Sequence, residues 1–420
     1  MELHSELVKE IVFMYIARHI EKTVARISKK KPVLIITGAR QVGKTTMLKQ
    51  LYALNYVTMN TAAIRQSAKE SPSVFFDCNK LPIIVDEIQK APELFEYIKD
   101  IADSRKIYGQ FYLTGSQSFK LMKNVTESLA GRAGIIQMMG LSLRELNGAD
   151  YYEPFKPTAE HISRMRSVQR SGFDRLLNII HKGSFPELYE TETSLKDWND
   201  YHNGYFQTYI EKDVKEIINI KDELAFIKFV KAAAARTGQQ LNCSALAEMC
   251  EKDEKTVKSW LSVLQANGLV YLLEPYYNNF NKRLTKTPKL YFLDTGLACY
   301  LLGWHSPVQL CEGAMWGQIF ETYVVGEVIK SYYNDGRTLL PLYYYRDKEK
   351  NEVDLIIEEA GTLYPVEIKT TSDPKKSMIS AFEVLKKIPD KIIGEGAIVC
   401  MSKEILPLAG RNWILPVDMI

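Results

Sequence analysis

The sequence lacks the features that tie a chain to a membrane or to disulfide chemistry. No apolar run approaches the roughly 18 residues that a membrane-spanning helix needs, and no CxxC pair occurs among the six scattered cysteines. Such scattered thiols are typical of a reducing compartment and argue against a disulfide framework or a cysteine zinc site. The first residues, MELHSELVKE, are acidic and helical in pattern, unlike a signal peptide. We therefore expect a soluble, cytoplasmic protein with no membrane partner.

A strong charge of one sign is also absent. The 54 Lys and Arg side chains nearly balance the 51 Asp and Glu, so any contact with nucleic acid must come from a local patch. With 420 residues the chain exceeds what one hydrophobic core supports, roughly 250–300 residues. Its 46% hydrophobic and 25% charged residues are an ordinary globular balance. The composition therefore predicts a folded protein of two or three domains.

The order of apolar patterns predicts how those domains are arranged. Apolar residues at helical spacing predict an amphipathic helix over residues 3–28. After residue 32, short apolar runs alternate with helical stretches, which predicts an α/β core with a parallel sheet within residues 1–150. Four of the runs are candidate strands: KPVLIIT, NYVTMN, LPIIVDE and QFYLTGS. A helical lid or connector is expected next, over residues 151–223.

A phosphate-binding loop is the strongest signal in the chain. Residues 38–45 read GARQVGKT, a full match to GxxxxGK[ST], between the apolar run VLIIT and a helical stretch. The glycines allow a tight turn whose N–H groups face phosphate oxygens, and the helix N-terminus adds a positive dipole. Lys44 would reach the β- and γ-phosphates of ATP, and the Thr45 hydroxyl would bind Mg²⁺. An ordinary strand-to-helix turn is the alternative. The predicted ATP-binding residues are Gly38, Ala39, Arg40, Gln41, Val42, Gly43, Lys44, Thr45 and Thr46.

Two later strands are predicted to end in polar side chains that complete this site. LPIIVDE runs into Asp86 and Glu87. In a phosphoryl-transfer site Asp86 would hold the Mg²⁺ shell and Glu87 would polarise the attacking water. QFYLTGSQS ends in Thr114 and Ser116, small polar side chains that can sense the γ-phosphate. Solvated acids at a strand end and ordinary turns are the simpler alternatives.

Several strings along residues 30–370 carry a family resemblance: GARQVGKTT, LPIIVDEIQKAPELF, FYLTGSQS, SLAGR, GSFPELY, YIEKDV, PKLYFLDTGLACYLLG and GQIFETYVVGEV. They resemble the AAA-type P-loop ATPases of bacteria and archaea that carry a C-terminal domain of unknown function. The resemblance implies ATP and Mg²⁺ as cofactors and catalytic roles for Lys44, Glu87 and either Thr114 or Ser116. It also implies an arginine near the γ-phosphate at Arg132, from the same chain or from a neighbouring subunit. A homo-oligomer is thus left open, and a surface arginine is the alternative.

Residues 224–289 have the pattern of a winged helix-turn-helix. Helices are predicted at CSALAEMC and at EKTVKSWLSVLQAN, the second closed by Gly268, with a strand following in LVYLLEPYY. The segment carries ten basic and five acidic side chains. Lys255 and Lys258 would lie on the helix that enters a DNA major groove. Phosphates of double-stranded DNA could be followed by Lys282, Arg283, Lys286 and Lys289. Such modules also serve only for packing, and nothing here indicates sequence-specific readout.

A hairpin is predicted in EVDLIIEEAGTLYPVEIKT, with its turn near Ala360–Gly361. This register would set Asp354 opposite Glu367 and Glu352 opposite Lys369, all on one face. Two facing carboxylates are destabilising unless a cation lies between them. A Glu352–Lys369 ion pair that needs no metal is the alternative.

This stretch resembles PD-(D/E)xK nucleases, so residues 290–420 are expected to form a nuclease-like α/β domain. The resemblance implies a divalent metal with Lys369 beside the attacking water, and its ligands would be Glu321, Asp354 and Glu367. One departure is that Val353, not proline, precedes the aspartate.

Two functions remain open from the sequence, and a third, a small-molecule kinase, has no substrate-domain pattern to support it. The first is a Mg²⁺-dependent ATPase that acts on DNA, with metal-dependent DNA cleavage as a further possibility. The second is an ATP-dependent molecular switch with a winged-helix interaction module and an inactive nuclease-like domain. Glu87 favours the first, because a pure binder needs no residue to polarise water. The modest local charge of the winged-helix segment favours the second.

Overall fold

A computed structural model of the chain describes residues 15–115, 128–208, 222–277 and 286–420. Its first helix, α1 (Ile20–Ser28), is shorter than the predicted amphipathic helix, because residues 15–18 are not helical. Glu21 accepts a hydrogen bond from the backbone N–H of Arg18 at 2.7 Å and so fixes the chain just before the helix. The prediction is wrong for residues 15–19, and its first part, residues 1–14, lies outside the described residues.

A parallel sheet is the framework of the N-terminal unit. Its five strands lie in the order β2-β3-β4-β1-β5 and all run in the same direction. Their bounds are β1 Val33–Thr37, β2 Asn55–Thr58, β3 Ile83–Asp86, β4 Phe111–Thr114 and β5 Ala133–Gln137. The four predicted strands are confirmed, but β5 was missed. It begins with Ala133 and Gly134 and is mostly half-buried, so its strand pattern is weaker.

Helices cover both faces of this sheet. Alternate residues of β1 enter two different cores: Val33 and Ile35 enter one, Leu34 and Ile36 the other. This alternation explains why the strands are near-continuous apolar runs in the sequence. The helices that follow are α2 Lys44–Leu51, α3 Ala62–Glu70, α4 Pro72–Cys78, α5 Leu94–Arg105 and α6 Leu143–Leu146, with a 3-10 turn at Ile88–Lys90.

The middle of the chain is helical, as predicted. Residues 149–157 form an irregular connection. They lead to α7 Ala159–Met165, α8 Phe173–Lys182, a 3-10 turn at Pro186–Tyr189, α9 Leu195–Tyr205 and α10 Glu223–Ala234. Along the described part of the chain, no helix combines the length and apolar character that crossing a membrane requires.

A small unit of helices and antiparallel strands begins with α10. Its other helices are α11 Cys243–Cys250 and α12 Glu254–Ala266. Its sheet has the order β6-β8-β7, with β6 Gln239–Gln240, β7 Val270–Leu273 and β8 Lys289–Phe292. The predicted order of helix, turn, helix and strand is confirmed. Gly268 has φ +69° and turns the chain from α12 into β7.

The C-terminal unit contains a seven-stranded sheet of order β14-β15-β13-β11-β10-β9, with β12 beside β11. Its strands are β9 Leu342–Arg346, β10 Glu352–Glu359, β11 Thr362–Lys369, β12 Ile392–Ile393, β13 Gly396–Cys400, β14 Leu406–Leu408 and β15 Asn412–Pro416. Its helices are α13 Thr295–Leu302, α14 Pro307–Glu312, α15 Trp316–Asn334 and α16 Phe382–Leu385, with 3-10 turns at Lys376–Ile379 and Val417–Met419. The hairpin turns where predicted, since Leu355 pairs with Val366 and Glu359 with Thr362.

Helix α15 joins the C-terminal unit to the parallel sheet. Nearly all of its residues from Ile319 onward are buried, as expected of a helix with apolar contacts all round. Glu327 accepts a hydrogen bond from the Leu143 backbone N–H at 2.8 Å, and Lys330 donates to the Leu141 carbonyl at 2.8 Å. One hydrophobic core therefore runs through all three units.

Candidate nucleotide-binding site

The predicted phosphate loop connects β1 to α2 at the carboxyl edge of the parallel sheet. Gly38 and Gly43 have φ of +141° and +92°, a region of backbone conformation open mainly to glycine. A Cβ at Gly38 would lie 2.1 Å from the Met138 carbonyl oxygen, so no other residue fits there. Helix α2 begins at Lys44, and its unpaired N–H groups adjoin the loop. The local geometry is that of an anion-binding turn.

Lys44 lies beneath the loop, with only 7% of its surface exposed. Its ammonium donates to the carbonyl oxygens of Gly38 and Ala39 at 3.0 and 2.7 Å. Burial lowers the pKa of Lys44 to about 8, although Glu87 and Asp86 act in the opposite direction. Neutral carbonyl groups are weaker partners for an ammonium than phosphate oxygens. These bonds can therefore be exchanged when a phosphate enters the loop.

Asp86 is the point where α2 and several strands converge. Its Oδ1 accepts hydrogen bonds from the hydroxyls of Thr45, at 2.7 Å, and Thr114. Its Oδ2 accepts one from the Tyr56 hydroxyl at 3.2 Å. Asp86 is 9% exposed, and the bond from Thr45 holds its carboxylate beside the first turn of α2. A hydroxyl and a carboxylate oxygen together suit Mg²⁺, a hard cation that takes oxygen ligands.

Glu87 follows Asp86 in a left-handed conformation, with φ +55°. A non-glycine residue in this region is uncommon and costs energy that the surrounding structure must offset. Gln89 donates to Glu87 Oε2 at 2.5 Å and orients the carboxylate. The side chain is half-buried, so it combines a fixed position with access to water.

A cleft of about 440 Å³ joins these groups, a volume within the range of small-molecule sites. Its lining includes the predicted residues Arg40, Gln41, Gly43, Lys44, Thr45, Thr46, Asp86 and Glu87. It also includes Asn60, Lys90, Tyr205 and Thr208, which the sequence analysis missed. Lys90 could have been found from its place soon after Glu87. No local pattern marks Tyr205 and Thr208, because they come from the end of α9, far along the chain.

Arg18 is a further residue that the sequence did not predict to be near the phosphate loop. The residue is 4% exposed, and its guanidinium donates to the Val42 carbonyl of the phosphate loop at 2.8 Å. It also donates to the Met139 carbonyl at 2.7 Å and to Glu145 at 3.2 Å. Although burial raises the pKa of Glu145, Arg18 and His19 hold it below its ordinary value overall. Arg18 therefore fastens the loop to the segment after β5.

The remaining predicted catalytic residues lie at different places in the chain, and not all of them are near the phosphate loop. Thr114 is in the site, as described above, whereas Ser116 lies outside the described residues. Arg132 precedes β5 at the amino edge of the sheet, since Ala133 pairs with Val33. The phosphate loop is at the other edge, roughly 13 Å along a strand. Arg132 instead forms an exposed ion pair with Asp103 at 2.5 Å, so its predicted contact within the same chain is wrong. A contact from a neighbouring subunit stays a prediction.

The predicted DNA-binding lysines differ in their exposure to solvent. Lys255 and Lys258 are exposed on α12, and Lys258 forms an ion pair with Glu254 at 3.3 Å. Lys282 and Arg283 lie outside the described residues. Lys289 was expected to follow DNA phosphates, but it is only 3% exposed and faces the C-terminal unit. That expectation is wrong, because β8 pairs at the centre of its sheet and directs this side chain inward.

The structure brings three of the predicted nuclease-like residues together. Lys369 contacts Glu367 at 2.5 Å and Asp354 at 3.4 Å. The predicted Glu352–Lys369 pair does not form; Glu352 contacts Lys289 at 2.6 Å instead. Burial, with the nearby Asp354 carboxylate, raises the pKa of Glu367 to about 8 against the effect of Lys369.

Glu321, the predicted helical acid, has other partners. It accepts hydrogen bonds from Lys289 at 3.0 Å and from the Tyr291 hydroxyl at 2.6 Å. Burial lowers the pKa of Lys289, but the carboxylates of Glu321, Asp354 and Glu352 raise it above its ordinary value overall. Within the described ranges, no three His, Cys, Asp or Glu side chains are arranged to hold a metal ion.

Three family models match successive parts of this chain. Residues 30–147 match a model described as an AAA domain. Residues 174–308 match a domain of unknown function (DUF8612), and residues 316–420 match a domain of unknown function (DUF4143). The matches to an AAA domain and to a C-terminal domain of unknown function agree with the resemblance of the motifs.

The chain is also similar to whole proteins. An uncharacterized protein of Mycobacterium tuberculosis is 28% identical over 398 residues, which cover 93% of this chain and 81% of that protein. An uncharacterized protein of Methanocaldococcus jannaschii is 22% identical over 398 residues, covering 87% and 81%. The solved structure of AMPPCP-bound DnaA from Aquifex aeolicus is 13% identical, covers 59% of this chain and 85% of that chain, and has a TM-score of 0.25. A likeness this distant carries no argument about this chain.

Proposed function

We propose that the protein is a Mg²⁺-dependent ATPase whose nucleotide site is coupled to a winged helix-turn-helix that contacts duplex DNA. The observation that carries the ATPase is the 2.7 Å hydrogen bond between Thr45 and Asp86 beneath a phosphate loop. Glu87 lines the same cleft. The match of residues 30–147 to an AAA domain supports the same conclusion.

Each side chain in the cleft has a role that its position supports. The loop N–H groups and Lys44 would bind the β- and γ-phosphates, and Thr45 with Asp86 would hold Mg²⁺. When bound, Mg²⁺ neutralises charge on the phosphate oxygens. Glu87 would orient the attacking water, since its carboxylate is fixed at the mouth of the cleft. Thr114 would hold the Asp86 carboxylate in position.

Proximity of the phosphate loop to the small helical unit supports the coupling. A Cβ added at Gly268 would lie 3.5 Å from the backbone nitrogen of Ala39, so the two segments are separated by about the width of one methyl group. Gly268 follows directly on the last turn of α12. Because packed interiors transmit small displacements, a change in loop backbone on binding phosphate would be passed to α12.

The order of elements in this unit supports the winged-helix assignment. One helix, a short strand and two more helices precede two strands, and the sheet order is β6-β8-β7. In such a module α12 is the recognition helix, and Lys255 and Lys258 are exposed on it. A cleft of about 890 Å³ beside α12 includes Lys258 and Lys286. Because no set of side chains there matches base edges, the expected contacts are to phosphates.

ATP turnover by the whole chain, with and without duplex DNA, tests the proposal. The parent protein should hydrolyse ATP only with Mg²⁺, and DNA should raise the rate. Lys44→Ala should lose about 10–100-fold in ATP affinity, because charged hydrogen bonds contribute about 1.5–3 kcal/mol. Lys69→Ala, on the exposed surface of α3, is the matched control and should behave like the parent. Equal ATP affinity in the Lys44 variant and the parent would contradict the site.

The alternative is an ATP-dependent switch that turns over slowly and presents the winged helix to DNA or protein. It is favoured by the ion pair between Lys258 and Glu254 and by the burial of Lys289, which both reduce the basic surface. A slow rate that DNA does not change would select this alternative. The mass in solution with and without nucleotide would show whether Arg132 can act between subunits, because that role requires an oligomer.

A further inference from the structure

A cluster of carboxylates lies where the three-stranded sheet meets the C-terminal unit. It comprises Glu321 of α15, Glu352 and Asp354 of β10, and Glu367 of β11. Asp354 and Glu367 are 7% and 6% exposed, so water does not screen their charges. Buried carboxylates that lie close to one another require a compensating cation. The nuclease resemblance implies that this cation is a divalent metal.

Lys289 already supplies a cation at the centre of this cluster. Its ammonium is 2.6 Å from Glu352, 3.0 Å from Glu321 and 3.9 Å from Asp354. The Tyr291 hydroxyl, two residues along the same strand, donates to Glu321 at 2.6 Å and helps to hold that carboxylate toward Lys289. The Lys289 side chain is 4% exposed, so its ammonium has little access to water.

A second lysine contacts the other side of the cluster. Lys369 is 2.5 Å from Glu367 and 3.4 Å from Asp354. Asp354 thus has one carboxylate oxygen turned toward each lysine. A divalent ion that used Glu321 and Asp354 as ligands would take the space of the Lys289 ammonium and be repelled by its charge. The residues present do not fit the metal that the resemblance implies.

We infer that the Lys289 ammonium takes the place of a divalent metal among Glu321, Glu352 and Asp354. Among the described residues these carboxylates are not arranged to hold a metal while the lysine lies between them, and removing it would let them move together around a divalent ion. The lysine belongs to the three-stranded sheet rather than to the C-terminal sheet. The small helical unit therefore supplies the cation that the C-terminal unit needs. As the chain is folded here, the C-terminal unit binds no divalent ion and cleaves no DNA.

The test is a Mn²⁺ titration of the full-length protein without nucleotide, followed by the electron paramagnetic resonance signal of free Mn²⁺. All proteins carry Asp86→Asn, so that the nucleotide cleft does not contribute. With Lys289 in place, no Mn²⁺ should bind at the cluster. Lys289→Met, which has a similar length and no charge, should bind Mn²⁺ at least about tenfold more tightly. Lys289→Arg keeps the positive charge and should behave like the parent.

The ligands are checked by a second substitution. Lys289→Met combined with Asp354→Asn should lose the gained Mn²⁺ binding. Mn²⁺ should also raise the melting temperature of Lys289→Met, but not that of Lys289→Arg. If Lys289→Met folds poorly without metal, recovery of its melting transition by Mn²⁺ supports the inference. Lys289→Gln, which keeps hydrogen-bonding capacity, is the second variant and should gain Mn²⁺ binding in the same way.

Three results would overturn the inference. The first is Mn²⁺ binding by the parent that Asp354→Asn abolishes, because the cluster would then hold metal with the lysine in place. The second is a folded Lys289→Gln or Lys289→Met protein with no Mn²⁺ binding above the parent. The third is metal-dependent nicking of plasmid DNA by the parent that Asp354→Asn abolishes.

Discussion

Two buried lysines have opposite surroundings. Lys44 lines the cleft beside the phosphate loop, and Lys289 lies in the cluster of carboxylates formed by Glu321, Glu352, Asp354 and Glu367. Lys44 donates to neutral carbonyl oxygens at 2.7 and 3.0 Å, and burial lowers its pKa to about 8. Lys289 donates to carboxylates, which raise its pKa above the ordinary value. Among the described residues, no carboxylate forms an ion pair with the Lys44 ammonium, whereas the Lys289 ammonium contacts several. A buried lysine that lacks a carboxylate partner can bind an anionic ligand. A buried lysine that already contacts carboxylates stabilises the fold instead.

The first prediction tests whether the cleft beside the phosphate loop hydrolyses ATP. Glu87→Gln should slow ATP turnover by about 10²–10⁴-fold while ATP binding is kept, because only the orientation of the attacking water is lost. Steady-state turnover and nucleotide binding are measured on the same samples. Glu93→Gln is the control, since Glu93 is exposed nearby and should leave the rate unchanged. Turnover at the parent rate in Glu87→Gln would show that the assignment of Glu87 is wrong.

The second prediction sharpens the comparison through stability. Lys289→Met should reduce the free energy of unfolding by about 3–5 kcal/mol in metal-free buffer, because it leaves buried carboxylates without their cation. Lys44→Met should change it by less than about 1 kcal/mol, since the relieved cost of burying a charge offsets the loss of two hydrogen bonds to the carbonyls of Gly38 and Ala39. Urea unfolding monitored by tryptophan fluorescence gives both values. A loss at Lys44→Met as large as that at Lys289→Met would end the distinction between the two lysines.

The third prediction concerns the loop rather than the ligand. Arg18→Met should raise the KM for ATP by about tenfold, because the Val42 carbonyl loses a charged hydrogen-bond partner worth about 1.5 kcal/mol. Arg18→Lys should recover only part of this, since lysine lacks the guanidinium fork. Arg26→Met serves as control, because Arg26 is exposed on α1 and bonds to the Asp335 carbonyl instead. An unchanged KM in Arg18→Met would show that the loop keeps its shape without this contact.

The smallest effect is expected for DNA. The double change Lys255→Glu and Lys258→Glu should weaken duplex binding equally for different sequences and reduce the salt slope by about two. Fluorescence anisotropy at several salt concentrations measures it. A matched double change at Lys386 and Lys387, exposed in the C-terminal unit, should have no effect. Equal losses from both pairs would place the DNA contact elsewhere than α12.

Most of the cleft lining was predictable, because those residues are close in sequence or follow apolar strands, whereas Tyr205 and Thr208 come from the end of α9 and were missed. GARQVGKT and the pair Asp86–Glu87 mark their own positions, and parallel strands bring their carboxyl ends to one edge. Thr114 follows by the same rule. Arg18 was not predictable, because it lies outside any motif and reaches the loop only through tertiary packing. The DNA role of Lys289 failed for a similar reason: its charge is visible in the sequence, but the direction of its side chain is not.

The β10–β11 hairpin also has features that the sequence predicts and a contact that it does not. Its turn and register follow from the alternation and from the Ala360–Gly361 pair, and both are confirmed. The expected partner of Glu352 was wrong, because the nearest cation comes from β8, in a different sheet. Local pattern determines which residues face each other within a hairpin. It does not determine which other element supplies the charge that balances them.

Helix α15 has a consequence for the way the protein can be divided. The match to an AAA domain ends at residue 147, but the Leu143 N–H and the Leu141 carbonyl are bonded to Glu327 and Lys330. A fragment limited to residues 30–147 would open these groups and the apolar surface around them to water. The boundary at residue 147 thus does not coincide with a physical one, and a chain cut there would leave unpaired backbone groups that the intact protein buries.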